Sequence, residues 1–137
     1  MKLMVLTRRD GAPSSALAAA ADRGENQLVE PLLERSAEQG VSQPEVLIGD
    51  RAYDDDSLRD RLKRRGTFLL APHRRGRKRP PRHDGRHLRR YWRRYLAERA
   101  HAWLQNFRRL VIRYDWYRFI YEGFVALACL IIVARML

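Results

Sequence analysis

Apolar positions along this chain change period several times, and each change predicts an element. Residues 2–6, Lys-Leu-Met-Val-Leu, form a short apolar run that breaks at Asp10-Gly11-Ala12-Pro13, a strand leading into a turn. The returning segment 15–21 reads two ways: its alanines have helix propensity, while its place after a turn favours a second strand. Over residues 26–38, Leu28, Val29, Leu32 and Leu33 recur at helical spacing and Gly40 offers a stop, which predicts a helix. Val46-Leu47-Ile48 is a continuous apolar run of the kind covered on both faces of a sheet; Gly49 ends it and leaves Asp50 at its carboxyl end. Asp54-Asp55-Asp56 place negative charge where the next helix starts, Gly66 closes that helix, and Phe68-Leu69-Leu70-Ala71 predicts another short strand before Pro72. Alternating helix and strand predicts an α/β domain.

The period changes again after residue 86. A long helix is expected over 87–112, with Trp92, Leu96, Ala100, Trp103, Leu104, Phe107, Leu110 and Val111 on its apolar face. At about 100° per residue, Tyr91, Arg94, Glu98 and Gln105 fall on the opposite face. Trp92, Trp103 and Phe107 are thus expected in the core rather than as base-stacking platforms. Residues 116–136 read as a buried C-terminal helix, too short between Glu122 and Arg135 to span a bilayer, which needs roughly 20 apolar residues.

Charge changes the picture most. The 137 residues, about one domain, carry a formal net charge of +12, which argues for a polyanionic partner, nucleic acid before others. Eleven Lys or Arg against one acid lie between residues 74 and 94, and the glycines and prolines of 73–86 predict an extended, mobile basic loop. Arg74, Arg75, Arg77, Lys78, Arg79, Arg89 and Arg90 are candidate DNA-backbone contacts, the alternative being a solvated surface. The single cysteine, Cys129, reads as a small buried hydrophobe and excludes an internal disulfide. With no signal-peptide pattern at the start, a cytoplasmic, nucleoid-associated setting is expected, with no membrane partner.

Asp50 and Glu98 are the candidates for chemistry. An acid at the end of a strand is where open α/β sheets place ligands, although it also caps turns; a helix glutamate is also ordinary solvated surface. Divalent-metal phosphodiester chemistry needs hard oxygen ligands delivered from different elements, and these two acids have that character. His83-x3-His87 lacks the cysteines that would make a zinc site, and the run 54–56 is explained by the helix start it precedes.

Four blocks carry a resemblance: Gly49-Asp50-Arg51-Ala52-Tyr53-Asp54; Ala71-Pro72-His73-Arg74-Arg75; Asp84-Gly85-Arg86-x-Leu88-Arg89-Arg90-Tyr91; and Glu98 to Leu110 with Tyr91-x2-Arg94-x3-Glu98 ahead of Gln105. In this order they resemble bacterial insertion-sequence transposases of the DDE type. The resemblance implies a ribonuclease-H-like mixed sheet with flanking helices and Mg²⁺ (or Mn²⁺)-dependent DNA cleavage and strand transfer at element ends. Asp50 and Glu98 would be the second and third catalytic acids and metal ligands, and Tyr91 and Arg94 would contact the scissile phosphate. The last signature position is usually Lys; Gln105 can hydrogen-bond there but carries no charge.

The first catalytic Asp of that family lies on a central strand upstream of the segment resembling 2–6. The expectation is therefore a C-terminal part of the catalytic domain, lacking that strand and that acid. Its partners would be DNA, both transposon ends and target, together with a second copy or an upstream transposase segment. The alternatives are a non-catalytic basic DNA-binding remnant of a transposase and a basic RNA-binding protein with no active site. Whether this chain alone is an enzyme stays open at this point.

Overall fold

The structure, a computed structural model, describes residues 1–137. Its first strand, β1 (Lys2–Thr7), pairs antiparallel with β2 (Pro13–Ala19), with Leu3 opposite Ala18 and Val5 opposite Ala16. The ambiguous alanine-rich segment is therefore a strand. Ladder pairing with β1 and burial of Ala18 and Ala19 outweigh the few tenths of a kcal/mol per residue by which alanine prefers a helix. Gly11 closes the hairpin at φ 86°, a left-handed conformation that a side chain resists, and Leu96 and Arg99 of a later helix press on the same spot.

Helix α1 (Glu25–Glu38) follows, and Leu28, Val29, Leu32 and Leu33 are all buried, as their spacing predicts. Strand β3 (Val46–Ile48) pairs in parallel with β4 (Phe68–Leu70), and α2 (Asp56–Arg64) makes the crossover between them. Val29, Leu33, Leu58, Leu62, Leu69 and Ala71 form the main core, against which Leu6 of β1, Leu47 of β3 and Tyr53 pack. At about 1.5–3 kcal/mol for each fully buried leucine, this small cluster is the principal stabilising contact between α1, α2 and the β3–β4 pair.

The mixed α/β class is as expected, but the four strands form two separate two-stranded sheets, β1–β2 and β3–β4. β3 is only half-buried along its length and is not covered on both faces. β1 and β3 each keep one edge without a strand partner, although Tyr53, just beyond β3, reaches Met4 of β1 with its hydroxyl 3.5 Å from Sδ.

The second half departs further from its periodicity. Residues His87–Arg94 form a 3-10 segment, α3 spans Tyr95–Gln105, and after a break at Asn106-Phe107 a single turn, α4 (Arg108–Val111), completes the stretch expected as one helix. A 3-10 turn holds three residues rather than 3.6, so the helical projection drifts before α3 begins. Trp92 accordingly lies 61% exposed, stacked on Tyr95, and not in the core. Trp103 and Phe107 are half-buried and pack beside Leu104, Ala128 and Ile132. Helix α5 (Arg118–Met136) buries Tyr121, Val125, Ala128 and Ile132 against β2 and α3, but leaves Phe119, Leu127 and Leu130 exposed, so only one face is buried. By length and composition it is apolar enough to cross a membrane, contrary to the reading that the run is too short. Cys129 is a free, half-buried thiol whose pKa burial pushes up.

Candidate nucleic-acid and metal site

Asp50 ends β3 in extended backbone, and its Oδ1 accepts the Ala52 N–H at 2.8 Å, capping the 3-10 turn Arg51–Tyr53. It therefore does what the simpler alternative expected of it, yet it is exposed and that contact occupies only one of its two oxygens. Glu98 lies on the exposed side of α3 with one ionic partner, Arg94 at 3.5 Å, the i,i+4 spacing of a surface pair. Such pairs contribute about 0.3–0.5 kcal/mol and are readily exchanged. Both carboxylates thus retain accessible oxygen donors of the hard type that suits a divalent cation. No cluster of three or more Asp, Glu, His or Cys side chains is assembled for a metal.

The 3-10 segment that leads into α3 packs on β3 and β4 and sets His87 against the Phe68 ring. Arg94 ends that segment. Its guanidinium donates to the Tyr91 hydroxyl at 2.9 Å and lies 5.1 Å over the Tyr91 ring. The hydrogen bond to Tyr91 raises its pKa first, followed by charge interactions with Tyr91, Glu98 and Asp50. Tyr91, Arg94 and Glu98 are therefore linked, while Gln105 lines a separate cavity of about 500 Å³ with Leu3, His101 and Tyr121. Burial lowers the pKa of His101 there. Arg99, next to Glu98, ties α3 to the β1–β2 hairpin by donating to the Asp10 carbonyl at 3.2 Å.

The basic loop makes internal contacts, and its cations are not uniformly free. Asp55 caps α2 by accepting from Leu58 N–H, and the two flanking acids face the loop. Asp54, whose side chain is 3% exposed, accepts from Arg59, from His73 Nδ1 at 2.9 Å, from the Arg74 backbone N–H at 2.7 Å and from Arg77. Burial would raise its pKa, but the hydrogen bonds from Arg59, Arg74 and His73 outweigh that and hold the carboxyl far below its usual range. Asp56 binds Arg77 at 2.8 Å, and Arg77 is its main reason for a lowered pKa. His73 Nε2 accepts the Arg82 N–H at 3.0 Å, the ring stacks on His83 at 4.3 Å, and Arg82 pairs with Asp60. These contacts form a clasp, and it is what places the loop. In sequence the acids of this clasp read as a helix start, and His83 pairs by spacing with His87 rather than with His73; the signal is the run of three acids when one suffices to cap.

Of the sequence candidates, Arg77 is turned inward into this clasp, and Arg74 donates to the Arg51 and Ala52 carbonyls beside Asp50. Arg75, Lys78, Arg89 and Arg90 are exposed, and Arg79, also exposed, lies 3.7 Å from Asp56.

Residues 1–133 match the family described as transposase DDE domain. The chain belongs to that family. It is also 36% identical over 92 residues to a Burkholderia cepacia protein assigned as a transposase for insertion sequence element IS402. That alignment covers 67% of this chain and 40% of the relative, so the chain spans well under half the length of the curated relative it matches. No solved structure matches. Within a DDE-domain chain, Asp50 and the linked residues Tyr91, Arg94 and Glu98 are the positions on which a functional reading rests.

Proposed function

We propose that this DDE-domain chain contributes the second and third acids of a transposase active site that cleaves and joins DNA at the ends of an insertion element. The observation that carries the reading is that Asp50, at the end of β3, and Glu98, on α3, both keep exposed carboxylate oxygens in a chain of the DDE family. Two accessible hard-oxygen donors delivered from distant elements suit a divalent metal and a phosphate in charge. Asp50 and Glu98 would hold Mg²⁺ or Mn²⁺, which supplies charge for a developing pentacovalent phosphate and acidity for the attacking hydroxyl. Arg94 would move from Glu98 to a non-bridging phosphate oxygen as DNA enters, with the Tyr91 hydroxyl, which already accepts from Arg94, donating its own proton to the same phosphate. Arg75, Lys78, Arg79, Arg89 and Arg90 would contact the DNA backbone, while Arg74 and Arg77 hold the loop in place.

The first acid, in this proposal, comes from a strand that adds between β1 and β3 and completes a ribonuclease-H-like sheet. In its support, β1 and β3 each have a free edge, and Leu6, Leu47 and the Tyr53–Met4 contact already place them on one core. That strand would come from an upstream transposase segment, with assembly of two copies on transposon-end and target DNA in the cytoplasm. A second reading, a DNA-binding remnant without catalysis, is favoured by one observation: no third acid stands near Asp50 and Glu98.

The test supplies the upstream segment in trans and measures Mg²⁺-dependent cleavage of element-end DNA. Cleavage that disappears in Asp50→Asn and Glu98→Gln, with DNA affinity kept or raised, is the expected result. Cutting that survives Glu98→Gln would overturn the assignment of the site.

A further inference from the structure

The loop between α4 and α5 and the first turn of α5 present four aromatic side chains within six residues, and none is in the core. Trp116 is 93% exposed, Phe119 69%, Tyr117 64% and Tyr114 58%. A ring of tryptophan size left almost wholly in water is the largest uncovered apolar surface a single residue can offer, and a contiguous group of them marks an interaction site. The loop is braced rather than slack. Arg113 folds back to donate to the carbonyls of Asp115, at 3.0 Å, and Trp116, at 3.3 Å. Asp115 is tucked in, its carboxylate 3.5 Å from Arg109. The rings of Tyr117 and Phe119 lie 5.6 Å apart, and an open concavity of about 390 Å³ lined by Arg113, Tyr114, Asp115 and Trp116 adjoins them.

From this arrangement we infer that the Arg113–Phe119 segment is a stacking platform for unpaired nucleobases, binding single-stranded DNA separately from the Asp50–Glu98 site. Charge decides the occupant. Arg108, Arg109, Arg113 and Arg118 fall within or beside this segment; Arg109 pairs with its one acid, Asp115, and Arg118 with Glu122. Protein interfaces also enrich aromatic and Arg side chains, but four arginines against one paired acid between residues 108 and 119, on a chain of net charge +12, fit bases stacked on a phosphate backbone. Base stacking is indifferent to sequence, so the platform would serve any strand opened during DNA processing. The inference rests on the DNA-processing reading only for the source of that strand.

The experiment uses the 137-residue chain and a labelled oligothymidylate, with a duplex of equal length as reference, at several salt concentrations. Because Trp116 is so exposed, Trp116→Ala will fold; the expected result is roughly 5- to 150-fold weaker binding of the single strand, from about 1–3 kcal/mol per stacked base, with duplex binding unchanged. Trp116→Phe should recover most of the loss. Equal single-strand affinity in wild type and Trp116→Ala overturns the platform while leaving the DNA reading intact. A change in sedimentation without a change in DNA binding identifies the patch as a protein interface and also overturns it. Absence of binding to either DNA overturns both readings.

Discussion

Asp54 and Asp50 stand four positions apart in one acidic segment, and their surroundings give them opposite uses. Asp50 is exposed with an oxygen to spare, whereas Asp54 is nearly inaccessible and saturated by Arg59, His73, Arg74 and Arg77. Removing one partner from a buried ionic cluster leaves the others uncompensated. Asp54→Ala should therefore cost roughly 3 kcal/mol in urea unfolding, Asp56 retaining part of Arg59 and Arg77, while Asp50→Ala loses only a turn cap, about 1 kcal/mol. The Asp54 carboxyl is held below its ordinary 3.8, so its stabilisation is complete above that value and drains as pH falls through and beneath it. The melting temperature of the wild-type chain should fall on acidification below about pH 4, and Asp54→Asn should start lower at pH 7 and fall less steeply. Equal slopes in the two proteins would remove Asp54 as the cause.

Elements in this chain are short, and what orders them is the contact each makes rather than its own propensity. The basic loop has the composition of a flexible linker, yet its Arg74 and Arg82 amides are donors to Asp54 and His73. Hydrogen exchange should show those two amides protected in the wild type and fast in Asp54→Asn, with exposed neighbours such as Lys78 fast in both. Helix α5 shows the same dependence. Its buried stripe Tyr121, Val125, Ala128 and Ile132 docks on β2 and α3, so Ile132→Ala should cost about 2–4 kcal/mol whereas Leu130→Ala, on the open face, should cost under about 0.5. A comparable loss at Leu130 would mean that the open face is covered in solution.

At the scale of the whole molecule, the +12 charge is divided between cations spent on internal acids and cations left facing outward. DNA affinity should fall with salt, and replacing Arg89 and Arg90 together with Glu should lower the slope of log K against log salt by about 1.8, near 0.9 per lost phosphate contact. An Arg77→Ala change should instead act on stability. The apolar code alone determined the α/β class, α1, the strands β3 and β4 with the helix between them, and the strand-end position of Asp50, because these depend on periodicity and turn residues within a few positions. The family followed from blocks of sequence held in order along almost the whole chain. Tertiary structure decided the rest: that the alanine segment is a strand, since β1 supplies its ladder partner; that the helix after residue 86 starts as a 3-10 turn and exposes Trp92; and that half the basic loop is locked. It also decided that Arg94 pairs with Glu98 and with the Tyr91 hydroxyl. Each of these depends on which distant group satisfies a hydrogen bond or a charge, and that pairing is settled only when the chain is folded.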